Sequence, residues 1–277
     1  METIESIKPL LAVLVSICVV PLLILSKKAN IREGWTFTAA FLKLLLVLSM
    51  LPVILNGNQI VYTLVEVVPG VAIRFRVDAL GLLFACVAAS LWIVTSAYSI
   101  GYMRGLKEHS QTRYFIFFAL ALSATIGVAF SANLLTLYLF YEMLSLATYP
   151  LVTHHKNDEA KKAGRTYLGI LLGSSVVLLL PAIIATWVLT GSVTFTPGGL
   201  MAGKVEPVIG GILLLLFLYG IGKAALMPMH RWLPAAMVAP TPVSALLHAV
   251  AVVKAGVFTV VKVTVYIFGI DYLRELA

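Results

Sequence analysis

The sequence predicts an all-α, polytopic membrane protein of about eight transmembrane helices. Three observations carry that prediction. Apolar residues make up 61% of the 277 and charged residues 12%, with a mean hydropathy of +1.01, against roughly 45–50% apolar and 25% charged in a soluble domain. Apolar stretches of about 20 residues, long enough to cross a bilayer as a helix, recur along the whole chain. Lysine and arginine concentrate in alternate connections between those stretches, the pattern that orients a polytopic protein.

The spans fall at residues 9–25, 36–55, 78–102, 114–130, 132–152, 164–190, 206–227 and 242–269. The first reads as a retained helix and not a leader, because Glu2 and Glu5 accompany Lys8 and no small-residue cleavage site follows Leu25. In the second, Lys43 lies near a helix end and is expected to snorkel to the interface. Residues 71–77, Val-Ala-Ile-Arg-Phe-Arg-Val, alternate with a period of two and predict a short strand or hairpin arm before the third span. Arg74, Arg76 and Asp78 then read as ordinary interfacial charges. Only Phe130, Ser131 and Ala132 join the fourth and fifth spans, which makes them a tight antiparallel hairpin.

One side of the membrane receives eleven basic residues: Lys27, Lys28, Arg32, Arg104, Lys107, Arg113, Lys156, Lys161, Lys162, Arg165 and Arg231. The other receives five: Lys8, Arg74, Arg76, Lys204 and Arg274. The richer side is cytoplasmic, so both termini are expected outside the cytoplasm of a cell (inner) membrane. Because the charge alternates between loops, the formal +8 is not a nucleic-acid footprint. Cys18 and Cys86 lie in different spans without a neighbouring partner and read as packing residues. His109, His154, His155 and His230 fall in loops or near span ends, leaving only His248 well inside a span, so no haem, metal or other cofactor is implied. There is no glycine-rich phosphate loop, no clustered metal-ligand motif and no nucleophile with its base, which makes an independent soluble-type enzyme the least expected class.

The chemistry-bearing residues lie at depth in the second half. Glu142 sits near the middle of its span, where a lone carboxylate is costly unless it meets a cation, water or a proton. Lys223 follows a long apolar run, with Gly220 and Gly222 before it and Pro228 after it, so its helix is expected to break at the proline. Irregular backbone at that depth survives only when packed in protein or lining a wet cavity. Thr241 and Pro242 read as N-cap and first residue of the last span, which carries His248 and Lys254. Six residues apart, these two diverge by about 120° around a helix, so both border a path and do not share one small site. A lysine at the bilayer centre costs roughly 2.5–3.5 kcal/mol, and two such lysines beside a glutamate suggest a proton file with coupled protonation. The residue-level alternatives are an autonomous secondary transporter and a structural subunit whose charges pair helices.

Three segments carry a resemblance: residues 133–149, with Phe-Tyr-Glu142-Met-Leu-Ser; residues 223–234, Lys-Ala-Ala-Leu-Met-Pro-Met-His-Arg-Trp-Leu-Pro; and residues 239–256, with Leu-Leu-His248 and Val-Val-Lys254-Ala-Gly. Together they resemble the antiporter-like subunits shared by respiratory complex I, membrane-bound hydrogenases and Mrp-type cation/proton antiporters, over roughly residues 113–269. The resemblance implies a first five-helix repeat, helices four to eight, with a broken seventh helix. It divides the chain into three N-terminal helices (1–112) and that repeat (113–277), with the family's second, inverted repeat lacking. It implies a Glu142–Lys223 pair, with His248 and Lys254 continuing the path and His230 and Arg231 in a structural role. The implied function is translocation of H+, alone or in exchange for Na+, within a lipid-embedded complex I-, hydrogenase- or Mrp-like assembly. Any oxidoreductase activity would then belong to partner subunits.

Overall fold

The computed structural model describes residues 2–276. Its helices are α1 (Lys8–Leu25), α2 (Ala29–Leu55), α3 (Ala79–Gly105), α4 (Gln111–Ala129), α5 (Leu134–Val152), α6 (Asp158–Thr190), α7 (Pro207–Gly220), α8 (Thr241–Phe268) and the short α9 (Ile270–Leu276). Among the described residues, seven helices are long and apolar enough to cross a membrane. The eighth expected span, α7, has 14 residues, about 21 Å of helix, and falls short of a hydrocarbon core about 30 Å thick.

Three starts are set by side chains that accept an otherwise orphaned backbone N–H. Asp78 caps α3 through Gly81 N at 2.6 Å, Asn133 caps α5 through Thr136 N at 2.8 Å, and Asn157 caps α6 through Ala160 N at 2.8 Å. The α6 cap, with Asp158 and Glu159 in the first turn, starts that helix ahead of the apolar run at 164. The last span differs from expectation. Thr241 is its first helical residue, not its cap, and no side chain caps it; Pro242 lies in the first turn, where its missing N–H costs nothing.

At one end of the bundle lies a three-stranded sheet, β1 (Thr3–Glu5), β2 (Gln59–Val68) and β3 (Val71–Val77), in that order. β1 runs parallel to β2, and β2 pairs antiparallel with β3 in the register Ile60↔Val77 to Val68↔Val71. Gly70, at φ +81°, makes the turn. The alternating segment is thus a hairpin arm. Its inner edge reaches the tight α4–α5 turn, where Arg76 N–H donates to Phe130 O at 2.7 Å and Ala132 N–H to Arg74 O at 3.0 Å.

α4 is the central helix. Of its most apolar stretch 72% is buried, against 28% for α2, and α1, α3, α5 and α8 all pack on it. Gly127 lets Phe140 of α5 lie against it, since a Cβ there would come within 2.2 Å of that ring.

Lys43 does not snorkel. It is fully buried, its Nζ has no hydrogen-bond partner among the described residues, and it stands 5.1 Å from the Trp92 ring centroid. The cause is position: α2 extends from residue 29 to 55, which leaves Lys43 about 18–21 Å from either end, beyond the reach of its side chain.

Candidate functional site

α7 stops at Gly220, well before the break expected at Pro228, and gives way to one 3-10 turn, Gly222–Ala224. Tertiary packing sets the break. A Cβ on Gly220 would lie 2.5 Å from Leu179 N, one on Gly222 2.3 Å from Ser174 Oγ, and one on Gly256 of α8 2.2 Å from Ala224 N. The unwound backbone is therefore wedged between α6 and α8. On the α6 side it meets a π-helical segment, Ser175–Leu179, a departure from α geometry that often accompanies function.

The freed backbone groups find partners, as buried ones must. Lys223 N–H donates to the Tyr141 hydroxyl at 3.1 Å, and Trp232 Nε1–H donates to Gly222 O at 2.9 Å. Ala225 closes the turn at φ +55°, a left-handed conformation that costs a non-glycine residue about 1–3 kcal/mol.

This wedge holds Lys223 fully buried. Its Nζ donates to Ser145 Oγ at 2.6 Å and lies 3.2 Å from the centroid of the Tyr141 ring. Tyr141 and Ser145 are four residues apart on α5 and so share a face. Thr148, one turn on, is buried and bonds the Tyr167 hydroxyl at 2.6 Å. A file of hydroxyl groups thus runs along α5 from the lysine.

Glu142, next to Tyr141, is half-buried, and both carboxylate oxygens are enclosed without a hydrogen-bond partner among the described residues. It acts on Lys223 electrostatically, yet no contact within 4.0 Å joins them. The two expected partners influence each other electrostatically but do not form a closed ion pair.

The other two expected residues diverge, as their spacing requires. His248 lies in a π-helical segment of α8, Leu246–Val250, half-buried and with Nε2 enclosed and unpartnered. Lys254 lies on the open face of α8, in a shallow groove against α3 with Leu83, Val87, Val257 and Val261. Lys254 is therefore not one of the enclosed charges. The buried face of α8 carries Ala255, Thr259 and Lys262, and Lys254 points away from it.

Lys262 went unread in the sequence. It is fully buried, donates to Ser131 O at 2.8 Å, and stands 3.9 Å from Asp78 Oδ2, which is 4.0 Å from Arg76. Asp78 and Arg76 are thus part of a buried charge cluster beneath the sheet, and not ordinary interfacial charges. The signal was present: Lys262 falls two helical turns after Ala255, in phase with the buried stripe. Of the other motif pair, Arg231 is exposed and His230 half-buried.

Residues 131–274 match the model of the family described as NADH:quinone oxidoreductase/Mrp antiporter, transmembrane. The chain is 32% identical over 244 residues to a Na+/H+ antiporter subunit of Alkalihalophilus pseudofirmus, covering 85% of this chain and 30% of that protein. It is 31% identical to a probable K+/H+ antiporter subunit of Rhizobium meliloti, covering 77% of this chain and 22% of that protein. The chain thus spans less than a third of the length of these relatives. Its fold matches a chain of the Mrp complex from Dietzia sp. with a TM-score of 0.80 at 24% identity, over 97% of this chain and 29% of that one. It also matches a chain of an archaeal membrane-bound sulfane sulfur reductase with a TM-score of 0.79 at 20% identity, over 97% and 54%.

Proposed function

This chain belongs to the NADH:quinone oxidoreductase/Mrp antiporter transmembrane family, and from that premise we propose that it is a proton-translocating, antiporter-like subunit of a multi-subunit membrane complex. Glu142, Lys223 and His248 form its polar path within the chain, and Lys254 continues that path at the open face of α8, toward a neighbouring subunit; residues 1–112 are an N-terminal three-helix unit and 113–277 the five-helix repeat. One observation carries the reading. Lys223 is a wholly buried ammonium at a break in a membrane helix, held by a neutral hydroxyl and a ring face, with no anion in contact among the described residues.

That environment tolerates both protonation states. The Tyr141 face attracts the cation, and the Ser145 hydroxyl turns from acceptor to donor when the amine loses its proton. Glu142 stabilises a charge on Lys223, so a proton reaching Glu142 weakens that hold and releases a proton from the lysine. The gap between them is bridged by water or side-chain motion. Unwound backbone wedged between α6 and α8 gives the motion a hinge.

Lys254 supports the assembly part of the reading. A lysine on the open flank of a membrane helix costs about 2.5–3.5 kcal/mol against lipid, so that face is covered by neighbouring membrane subunits, of complex I-, hydrogenase- or Mrp-like type. The transported ion is H+, exchanged for Na+ in an antiporter assembly. The eleven-to-five split of basic residues supports a cell-membrane topology with both termini extracytoplasmic.

The test is ion movement in everted vesicles carrying the intact parent complex, with H+ and Na+ followed separately. Glu142→Gln is expected to lower proton movement about tenfold or more at unchanged assembly. Wild-type movement in that variant would overturn the reading, and loss of assembly in proportion to activity would favour a structural role.

A further inference from the structure

At the end of the bundle away from the sheet, two connections meet at a cluster of donor atoms that the proton path does not use. Glu108 and His109 lie between α3 and α4, and His154 and His155 between α5 and α6. The connections are stitched together at one carbonyl: His154 O accepts from His109 Nε2 at 3.1 Å and from Arg113 Nη2 at 2.8 Å. A carbonyl only accepts, so the His109 proton is on Nε2. Its Nδ1 therefore offers a lone pair, 3.7 Å from Glu108 Oε2.

The same carboxylate oxygen lies 3.8 Å from His154 Nε2 and 3.9 Å from His155 Nδ1. Three imidazole nitrogens thus surround one oxygen, all too far for hydrogen bonds. The His154 side chain is 0% exposed and neither ring nitrogen has a partner, an arrangement that costs about 1–3 kcal/mol if nothing satisfies it.

We propose that Glu108, His109 and His154 bind one divalent transition-metal ion of the zinc class, with the fourth position open to water or to a movement of His155. The ion bridges the α3–α4 and α5–α6 connections. Bonds of about 2.0–2.2 Å in a tetrahedron put neighbouring ligand atoms about 3.3–3.6 Å apart; the Glu108 oxygen is within a few tenths of an ångström of that from each imidazole, and the ligand atoms of Glu108, His109 and His154 lie within 4.8 Å of one another, so side-chain rotation of about an ångström closes the set. Glu108, His109 and His155 are 14%, 49% and 34% exposed and have room to make it, while His154 is the fixed anchor. Imidazole-rich sites select zinc, cobalt, nickel or copper over magnesium and calcium, which take oxygen ligands. The hydrogen bond from His109 Nε2 to a carbonyl is the outer support that orients a ligating imidazole.

The consequence is mechanical. His154 follows the end of α5, the helix that carries Tyr141, Glu142 and Ser145, so a bound ion ties that end to the end of α3. The site does not depend on the translocation reading.

The experiment uses the full chain, purified in detergent without a polyhistidine tag, stripped with a chelator, then equilibrated with Zn2+ and assayed for bound metal, with Co2+ absorption as a geometric probe. The expected result is one Zn2+ per chain, a tetrahedral Co2+ spectrum and a rise in unfolding temperature. Glu108→Gln and His109→Gln, at solvent-reached positions, are each expected to weaken binding about tenfold or more with unchanged circular dichroism. His154→Gln tests the anchor, and the two loop variants decide the outcome if it fails to fold. Absence of stoichiometric Zn2+, or binding equally tight in both loop variants, would overturn the proposal; the second result would assign the ion to other histidines such as His230 and His248.

Discussion

Lys223 is surrounded by two α5 side chains with separable jobs. Ser145 supplies the only hydrogen bond to its Nζ among the described residues, and Tyr141 supplies both a ring face and an acceptor for its backbone N–H. Ser145→Ala is expected to cost about 1.5–3 kcal/mol, the range for a hydrogen bond to a charged group, read as a lowered unfolding temperature of the detergent-solubilised protein. Tyr141→Phe keeps the ring and loses only a neutral hydrogen bond, so about 1 kcal/mol is expected. Equal losses would mean that the ring, not the hydroxyl, holds the lysine. Lys43 is the contrasting case, a buried ammonium with no hydrogen-bond partner. Lys43→Met fills the same space without a charge, and replacing buried charges by apolar groups is often neutral or stabilising. A lower unfolding temperature in Lys43→Met would show that its contact with Trp92 outweighs the cost of its burial.

Glu142 and Lys223 were legible in the sequence because an ionisable residue inside an apolar run stands out whatever the fold. Lys262 carried the same signal and was passed over, since only the structure shows that the end of α8 tucks beneath the sheet. Ser145 and Tyr141 were not legible, because hydroxyls are common in membrane helices and their meaning comes from the lysine they face.

At the scale of elements, the break in α7 is a packing event. The proline marked the right neighbourhood, but the glycines set the location: Gly220 admits the α6 backbone, Gly222 the Ser174 side chain, and Gly256 of α8 the backbone of the unwound turn. Gly256→Ala puts a Cβ 2.2 Å from Ala224 N and 2.4 Å from Lys223 C, where backbone must yield. It is expected to destabilise by about 1–3 kcal/mol and to slow proton movement by displacing Lys223. Gly169→Ala is the control: it lies in α6 with nothing within 4 Å of its Cβ, and the change is expected to be neutral or stabilising by up to about 1 kcal/mol. Similar losses in the two variants, by thermal unfolding, would contradict the wedge. The tight α4–α5 turn and the β3 arm were readable because they depend on short-range pattern. The β2 partner and the π-helical segments of α6 and α8 were not, because strand pairing and helix register are decided by what packs against them.

For the molecule as a whole, the charge cluster beneath the sheet ties distant parts of the chain together. Asp78 caps α3, Arg76 is next to last in β3, Lys262 lies in the last two turns of α8, and Ser131 sits in the α4–α5 turn. Lys262→Met removes a buried cation from a buried carboxylate, and breaking such a pair costs about 3–5 kcal/mol. Asp78→Asn in the same protein is expected to recover part of that loss, because the uncompensated charge is gone. A double variant no more stable than the single one would mean that Arg76 alone satisfies Asp78. The polytopic arrangement follows from composition and alternating charge, and so was available from the sequence. The meeting of two loops at Glu108 and His154 was not, since 45 positions separate His109 from its partner and no ligand spacing survives in linear order.

The measurement that tests the central claim most directly is proton movement in everted vesicles of the parent complex, comparing wild type with Lys223→Ala at matched assembly. The account predicts that proton movement falls about tenfold or more while the complex remains assembled and the chain stays folded. Proton movement at the wild-type rate in that variant would contradict it, and would make the buried lysine a structural group that holds the broken helix in place.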